Sequence, residues 1–208
     1  MYTGIVQGTF PVVFLEKKSG MKSFDVSLPS ELTKGLVPGV SVSIDGVCLT
    51  AVSIHDGLVR FDAMDETLRL TTIGHLEEGD RVNVERSARM GDEIGGHPMS
   101  GHVSTIAEII SVDATENNKA ITFQVDPEWM RFIFSKGFIG LDGASLTVVD
   151  ADRESGTFQV WLIPETLRLT RFGEKDVGDF VNLEIDSNTQ TIVETITRIL
   201  PAMMQEIS

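Results

Sequence analysis

The chain has 208 residues, of which 41% are hydrophobic, and a formal net charge of −14 from 31 acidic and 17 basic side chains. This charge argues against binding to nucleic acid or to anionic membrane surfaces, and no apolar run reaches the ~18 residues of a membrane span. The single cysteine excludes an intrachain disulfide and fits a reducing compartment. The first residues lack the pattern of a signal peptide, so we expect a soluble cytoplasmic protein.

Short runs with a β pattern, separated by turn residues, dominate the chain. In the first half the predicted strands are Gly8–Leu15, Ser23–Leu28, Ser41–Ile44, Leu49–Ile54, Leu58–Ala63 and Arg81–Glu85. In the second half they are Thr105–Val112, Ala120–Val125, Leu146–Val149, Thr157–Leu162 and Phe180–Ile185. Short strands with tight turns favour a small closed barrel, which has no exposed sheet edge; a sandwich is the alternative.

Helical segments are few and short before the C-terminus. Ser30 is the expected N-cap of a short helix, and Asp126 is the expected N-cap of another that has Pro127 at its first position. Single helical turns are expected at Glu66 and at its repeated copy, Glu165.

The C-terminal segment has a one-sided apolar seam. Its members, spaced 4, 3 and 4 residues apart, are Ile192, Ile196, Ile199 and Met203. This spacing predicts a helix that either packs on its own barrel or joins copies of the chain, and isoleucine at the seam leans towards trimers or higher oligomers. Pro201 has no backbone donor, so we expect the helix to kink or end near Leu200.

One six-residue motif occurs twice. Asp45–Thr50 (Asp-Gly-Val-Cys-Leu-Thr) returns 97 residues later as Asp142–Thr147 (Asp-Gly-Ala-Ser-Leu-Thr). The flanks repeat as well, 66–71 as 165–170 and 79–85 as 178–184. A period near a hundred residues is the size of a small domain. We therefore predict two duplicated all-β domains, 1–97 and 98–187, followed by a C-terminal oligomerisation helix over 188–208.

The repeated motif has an ordinary interpretation, a turn followed by a strand. However, a small polar side chain, Cys48 or Ser145, stands at the same place in both copies, beside an Asp and a Thr. Gly4 and Gly101 add backbone that a ligand could approach closely. We therefore predict two related pockets for small molecules.

The two copies differ in their ionisable groups. The corresponding pairs are Ile5 and His102, Gly39 and Lys136, Cys48 and Ser145, and Ser87 and Asp186. The second copy thus has a His, a Lys and an Asp that the first lacks, which favours one pocket equipped for proton transfer and one mainly for binding. In the alternative interpretation, Lys136 is a solvated loop charge and Asp186 caps the C-terminal helix.

His97 and His102 lie five residues apart in a glycine-rich connector. A zinc site needs three or four converging ligands, and the connector has neither a third histidine nor a second cysteine. We therefore predict no metal.

These residues resemble the bacterial, lumazine-binding-repeat form of the riboflavin synthase family. The similar motifs are Met1–Gly8, Gly46–Thr50, Glu66–Leu68, Gly79–Glu85, Asp92–His97, Ser100–Val103, Lys136–Gly143 and Ser145–Thr147. They span nearly the whole chain, and in this order and twice over they are specific. The chain departs from the family at Tyr2, where Phe is expected, and by modest apolar changes at Val47 and Ala144.

The resemblance implies a fold, an assembly and a reaction. Each half is expected to be a six-stranded Greek-key barrel, and the tail helix is expected to hold a homotrimer. Two molecules of 6,7-dimethyl-8-ribityllumazine are expected to bind between the N-terminal barrel of one subunit and the C-terminal barrel of its neighbour. A four-carbon unit then passes between them, giving riboflavin and 5-amino-6-ribitylaminouracil, without a metal or an added cofactor.

The resemblance also implies site residues. The catalytic or near-catalytic candidates are Ser41, Cys48, His102, Asp142, Ser145 and Asp186. The substrate-binding candidates are Gly4, Ile5, Val6, Cys48, Leu49, Thr50, Asp62, Ala63, Met64, Asp65, Glu66, Thr67, Gly101, His102, Val103, Lys136, Ser145, Leu146, Thr147, Leu162, Ile163, Pro164, Glu165, Thr166 and Leu167. We expect His102 or Ser145 to assist proton transfer in the C-terminal pocket, and Cys48 to interact with the acceptor lumazine.

Two other functions remain open at this point. One is lumazine or flavin binding without turnover, and the other is a structural or transport barrel for small ligands. The polar groups in both copies, particularly His102, Lys136 and Ser145, favour catalysis over either.

Overall fold

A computed structural model describes residues 1–115 and 118–207, and of 201–207 it describes the backbone alone. The described residues form two closed barrels of six antiparallel strands. The strands of the first barrel are β1 (Gly8–Lys18), β2 (Met21–Ser27), β3 (Ser41–Ile44), β4 (Val47–His55), β5 (Leu58–Met64) and β6 (Arg81–Arg86). Those of the second are β7 (Thr105–Ala114), β8 (Lys119–Gln124), β9 (Phe138–Leu141), β10 (Ala144–Asp152), β11 (Thr157–Leu162) and β12 (Phe180–Ile185).

The two barrels have the same connectivity. The order around the ring is β1-β2-β5-β4-β3-β6 in the first and β10-β11-β8-β7-β12-β9 in the second. Each strand of the second barrel has the same neighbours as the strand numbered six lower in the first. The predicted pair of duplicated barrels is therefore confirmed. The domain boundaries at residues 97 and 187 stay predictions.

Strand β9 is missing from the sequence-based prediction. It has four residues, and Gly140 is the third of them. A glycine weakens the strand signal because it has no side chain to pack. The strand forms because β9 pairs on both edges, with β10 and with β12.

The helices differ from the prediction in their ends. Helix α1 (Ser30–Thr33) begins at Ser30 rather than after it, so Ser30 is not its N-cap. Asp126 does accept a hydrogen bond from the Glu128 N–H, but the segment it caps is a 3-10 helix, Pro127–Phe132. The expected single turns are the six-residue helices α2 (Asp65–Leu70) and α3 (Pro164–Leu169).

The C-terminal helix α4 runs from Ser187 to Ile207. It continues past Pro201, so of the two predicted outcomes the end near Leu200 is wrong, while the kink stays a prediction; losing a single backbone donor does not stop this helix. The seam residues Ile192, Ile196 and Ile199 are 58%, 54% and 47% exposed. The fourth seam side chain, that of Met203, lies outside the described residues. No helix of the described chain is both long and apolar enough to cross a membrane.

Each barrel has its own hydrophobic core, but two segments cross between the barrels. Val6 precedes β1 of the first barrel, yet it packs in the core of the second. Val103 precedes β7 of the second barrel, yet it packs against the core of the first. The N-terminal segment and the connector between the barrels are thus exchanged.

The barrels meet at the repeated Asp-Gly turns. Asp45 and Asp142 have positive φ angles of 44° and 43°, and the glycines that follow have φ angles of 80° and 82°. These conformations suit an Asp-Gly hairpin turn. A Cβ atom on Gly46 would lie 2.6 Å from the backbone nitrogen of Gly143, so the two turns pack back to back.

Two asparagines join the turns across the interface. Asn83 Nδ2 donates to the Asp142 carbonyl at 2.9 Å, and Asn182 Nδ2 donates to the Asp45 carbonyl at 2.7 Å. The side-chain oxygens of Asn83 and Asn182 accept, respectively, from the N–H groups of Arg171 (2.9 Å) and Thr72 (2.8 Å). These asparagines therefore use both ends of their amides between the barrels.

The carboxylates of Asp45 and Asp142 are buried in the same interface. Arg171 Nη1 lies 3.4 Å from Asp45 Oδ2, and Lys175 Nζ lies 3.4 Å from Asp142 Oδ2. Burial, aided by the charge of Asp142, raises the pKa of Asp45 to about 7. Burial likewise raises the pKa of Asp142. Both carboxyls therefore hold protons more tightly in the folded chain than in the unfolded chain.

This shift predicts that stability falls as the pH rises from about 4 to about 7. Because its pKa is higher in the folded chain, Asp45 adds to the free energy of unfolding. That contribution is fully present below pH 3.8, the unfolded pKa, and is lost as the pH rises past about 7. Asp45→Asn retains an acceptor for the Asn83 N–H and tolerates the positive φ. We expect the free energy of unfolding, measured with urea, to change less between pH 5 and pH 8 in this variant than in the wild type, by on the order of 1 kcal/mol or more.

The matched control is Asp56→Asn, because Asp56 also has a positive φ but lies exposed in the β4–β5 hairpin. The control should keep the wild-type pH dependence. An Asp45→Asn chain with unchanged pH dependence would show that Asp45 does not carry the shift.

Candidate active site

Each exchanged segment forms a backbone hydrogen bond with the second residue after an Asp-Gly turn, in the barrel to which it crosses. Ser145 N donates to the Gly4 carbonyl at 2.8 Å, and Cys48 N donates to the Gly101 carbonyl at 2.8 Å. A Cβ on Gly101 would lie 2.7 Å from Cys48 Cβ, and one on Gly4 would clash with Ser145 Cβ. Glycine is therefore needed at both crossings, and each predicted ligand segment is tied to the other barrel.

Two buried glutamates hold the crossing segments. Glu85 accepts from the N–H groups of Thr3 and Gly4, at 2.7 and 3.0 Å. Glu184, the equivalent residue of the second repeat, accepts from the N–H groups of Ser100 and Gly101, at 2.6 and 3.0 Å. Burial raises the pKa of both carboxyls, while the N–H donors act in the opposite direction.

The first of the two candidate pockets, the N-barrel pocket, lies on β4 and β5. Cys48, Leu49 and Thr50 lie on β4, and the connector Gly101–Val103 runs beside them through the Cys48 hydrogen bond. The predicted ligand residues 62–67 lie at the end of β5, the neighbour of β4, and at the start of α2. Two of the predicted ligand segments thus lie on neighbouring strands and the third lies beside Cys48, and their role in binding stays a prediction.

The second, the C-barrel pocket, is built in the same way on β10 and β11. Ser145, Leu146 and Thr147 lie on β10, with Gly4–Val6 beside Ser145. Residues 162–167 lie at the end of β11 and in α3. The exposed Lys136, in a left-handed conformation with φ 68°, donates its N–H to the Val148 carbonyl of β10 at 2.7 Å.

His102 does not lie where the comparison of repeats placed it. It belongs to the connector that crosses to Cys48, so its exposed side chain borders the N-barrel pocket. The expectation that His102 and Ser145 share the C-terminal pocket is therefore wrong. Comparing the two repeats assigns each segment to the barrel of its own copy. The structure instead exchanges the segments between the barrels.

The remaining catalytic candidates have different surroundings. Ser41 pairs with Thr50 across β3 and β4, at the N-barrel pocket. Asp142 is 1% exposed, and its Oδ1 accepts from the Asn182 N–H at 2.7 Å, so it lies in the interface between the barrels. Asp186 accepts from the N–H and hydroxyl of Thr189, both at 2.8 Å, which is the capping geometry considered above for the start of α4.

Two ring side chains near the pockets were missed as site residues. The Tyr2 hydroxyl donates to Cys48 Sγ at 3.2 Å, and His97 Nδ1 lies 2.6 Å from Ser145 Oγ. Burial raises the pKa of Tyr2 and lowers that of His97. The sequence signal for His97 is its position just before the Ser-Gly-His segment that crosses to Cys48.

The described part of the chain holds open space beside one predicted ligand residue but no cluster of metal ligands. Among the side chains of residues 1–115 and 118–200, no three His, Cys, Asp or Glu form a group that could hold a metal. A cleft of about 760 Å³ opens between the N-terminal segment, at Thr3, Ile5 and Gln7, and the connector from Ser87 to Gly95. Ile5, a predicted ligand residue, therefore borders open space.

Known proteins resemble the chain in sequence and in fold. The family model for the lumazine binding domain matches residues 3–87 and 100–186. The riboflavin synthase of Escherichia coli (strain K12) is 49% identical over 203 residues, covering 97% of this chain and 94% of that protein. The riboflavin synthase of Chlamydia pneumoniae is 44% identical, covering 96% of this chain and 97% of that protein.

Solved structures of LumP have the same fold. LumP complexed with riboflavin superposes with a TM-score of 0.83 at 23% identity, covering 90% of this chain and 100% of that one. LumP complexed with 6,7-dimethyl-8-(1'-D-ribityl) lumazine gives a TM-score of 0.80, also at 23% identity, covering 88% of this chain and 98% of that one. At these identities the likeness concerns the fold alone, whereas the matches in sequence extend over nearly the full length. The chain therefore belongs to the riboflavin synthase family and consists of two lumazine binding domains followed by a C-terminal helix.

Proposed function

We propose that this chain is a transferase that converts two molecules of 6,7-dimethyl-8-ribityllumazine into riboflavin and 5-amino-6-ribitylaminouracil. The observation that carries the proposal is the pair of equivalent crossings at Cys48 and Ser145, in a chain 49% identical to a riboflavin synthase. Two like pockets suit a reaction whose two substrates are identical. The unlike groups beside them, a phenol and an imidazole, suit substrates that play unequal roles.

The chemistry divides between the pockets. One lumazine loses a proton from its acidic C7 methyl group, and the other presents an electrophilic C7 that a nucleophile or water activates. Since one lumazine supplies the four-carbon unit to the other, the transfer needs no external donor, metal or added cofactor. Much of the rate comes from holding two flat molecules face to face.

The predicted residues take roles that fit their surroundings. Cys48, with Ser41 and the exposed His102, is proposed to act on the lumazine in the N-barrel pocket. Ser145 and Lys136 are proposed to act on the lumazine in the C-barrel pocket. Asp142 and Asp186 are proposed to position the site, Asp142 through the interface of the turns and Asp186 through the start of α4.

A homotrimer is proposed to bring the two pockets together. In one chain the exposed seam of α4 offers apolar surface for other copies, as isoleucine seams do in higher-order coiled coils. In such a trimer the N-barrel pocket of one subunit faces the C-barrel pocket of its neighbour. The cytoplasm is the compartment proposed, since biosynthesis from small soluble substrates and one free cysteine both suit it.

Riboflavin formation is the direct test of the activity. Purified protein incubated with the lumazine should form one riboflavin for every two lumazines consumed, measured by absorbance and fluorescence. Heat-denatured protein is the control. Tight binding of the lumazine with no riboflavin would instead establish a binding protein without turnover.

Mixing two blocked variants tests the proposed site between subunits. Thr50→Arg and Thr147→Arg place a bulky charge at equivalent, exposed positions of the N-barrel and C-barrel pockets. Each variant alone should be nearly inactive. After unfolding and joint refolding, the mixture should recover roughly a quarter of wild-type activity, as random mixing in a three-membered ring predicts.

Each variant refolded alone is the control for that experiment. If both pockets of a working site belonged to one chain, joint refolding would restore nothing.

A further inference from the structure

His97 holds a fixed position behind Ser145. Its ring is 4% exposed and stacks on Phe138, with centroids 5.1 Å apart and an angle of 14° between the planes. Its Nδ1 lies 2.6 Å from Ser145 Oγ. Ser145 is only partly buried, so it stands between the buried ring and the C-barrel pocket. Ser145 Oγ is thus the hydrogen-bond partner through which His97 can act on a ligand.

This imidazole belongs to the C-barrel pocket alone. The pairing of the crossing segments places Tyr2 opposite Met99, and the equivalent of Ser145, Cys48, has the Tyr2 hydroxyl as its partner. The two pockets thus present differently held groups to two identical ligands.

The surroundings of His97 decide which ring nitrogen carries the proton. Nε2 is buried and has no hydrogen-bond partner among the described side chains and backbone. Buried N–H groups without an acceptor are rarer than unpaired acceptors, so these surroundings favour the tautomer with the proton on Nδ1. Burial also lowers the pKa of His97, against a weaker attraction by Asp186, so the ring carries one proton near neutral pH.

The Ser145 hydroxyl is then left with one free proton. Its oxygen accepts from His97 Nδ1–H, and no other hydrogen bond to Oγ occurs within the described residues. Gly4 and Gly96 close two sides: a Cβ on Gly96 would lie 2.6 Å from Ser145 Cβ and 2.9 Å from Oγ. The hydroxyl proton is therefore free for an acceptor on the remaining side, towards the C-barrel pocket.

We propose that His97 is a positioning residue that makes Ser145 a hydrogen-bond donor to the ligand in the C-barrel pocket. The pocket then selects a ligand with a hydrogen-bond acceptor at this point, such as a ring carbonyl or ring nitrogen of the lumazine. This inference rests on the proposed function for the identity of the ligand. It assigns Ser145 to binding rather than to removal of the methyl proton.

The tautomer can be measured without ligand or turnover. Ring ¹⁵N chemical shifts of the wild-type protein, with the His97 signals assigned through His97→Asn, should show a protonated Nδ1 and a bare Nε2. A protonated Nε2 with a bare Nδ1 would overturn the proposal. This measurement stands even if the protein forms no riboflavin, so the two failures are distinguishable.

Affinity for the lumazine tests the effect on the ligand. His97→Leu should raise the Kd, followed by lumazine fluorescence, and the KM by about tenfold, with kcat within about threefold, because one hydrogen bond is lost. His97→Asn should stay within about threefold of wild type, because its amide N–H replaces Nδ1–H. His55→Leu, an exposed hairpin histidine, is the matched control.

A double-mutant cycle tests whether His97 acts through Ser145. His97→Leu in a Ser145→Ala background should raise the Kd no further, since the hydroxyl it positions is gone. Additive effects, or equal damage from Asn and Leu at position 97, would assign the ring a packing role only. If His97→Leu does not fold, the tautomer and the His97→Asn affinity still decide the matter.

Discussion

The close contact of two Asp-Gly turns is the constraint on which the rest of the structure depends. Gly46 and Gly143 approach so closely that neither position has room for a side chain. Asn83 and Asn182 fix this contact with hydrogen bonds to the carbonyls of Asp142 and Asp45, on opposite barrels. A buried amide that lost its partner would cost about 1–3 kcal/mol, so these bonds hold the barrels in one orientation.

The orientation of the barrels makes the exchange of segments possible. Because the turns touch, each of the two strands that follow begins at the boundary between the barrels, next to the segment that leads into the other barrel. Gly4 and Gly101 are bonded there to Ser145 and Cys48. Each candidate pocket therefore combines strands of one barrel with a segment that precedes the other, and neither half of the chain carries all the residues predicted for one pocket. The duplication supplies the likeness of the pockets, and the differing rings of Tyr2 and His97 supply their difference.

Most of the fold can be predicted from the sequence, because repeats and alternating strands are local signals. The pair of barrels and the two pockets' strands follow from the motifs at 45–50 and 142–147. The exchange of segments cannot be predicted, since a repeat period does not say which barrel a flanking segment joins. A comparison of the repeats therefore places His102 in the wrong pocket. The role of His97 depends on Ser145, 48 residues away, and no local pattern predicts that pair.

The number of ligands bound per chain tests most directly whether the two barrels carry two like but unequal pockets. A lumazine analogue that cannot react should bind with a stoichiometry of two per chain by isothermal titration calorimetry, with two distinct affinities. A single ligand per chain would contradict the account, because it would mean that only one of the two crossings forms a binding site.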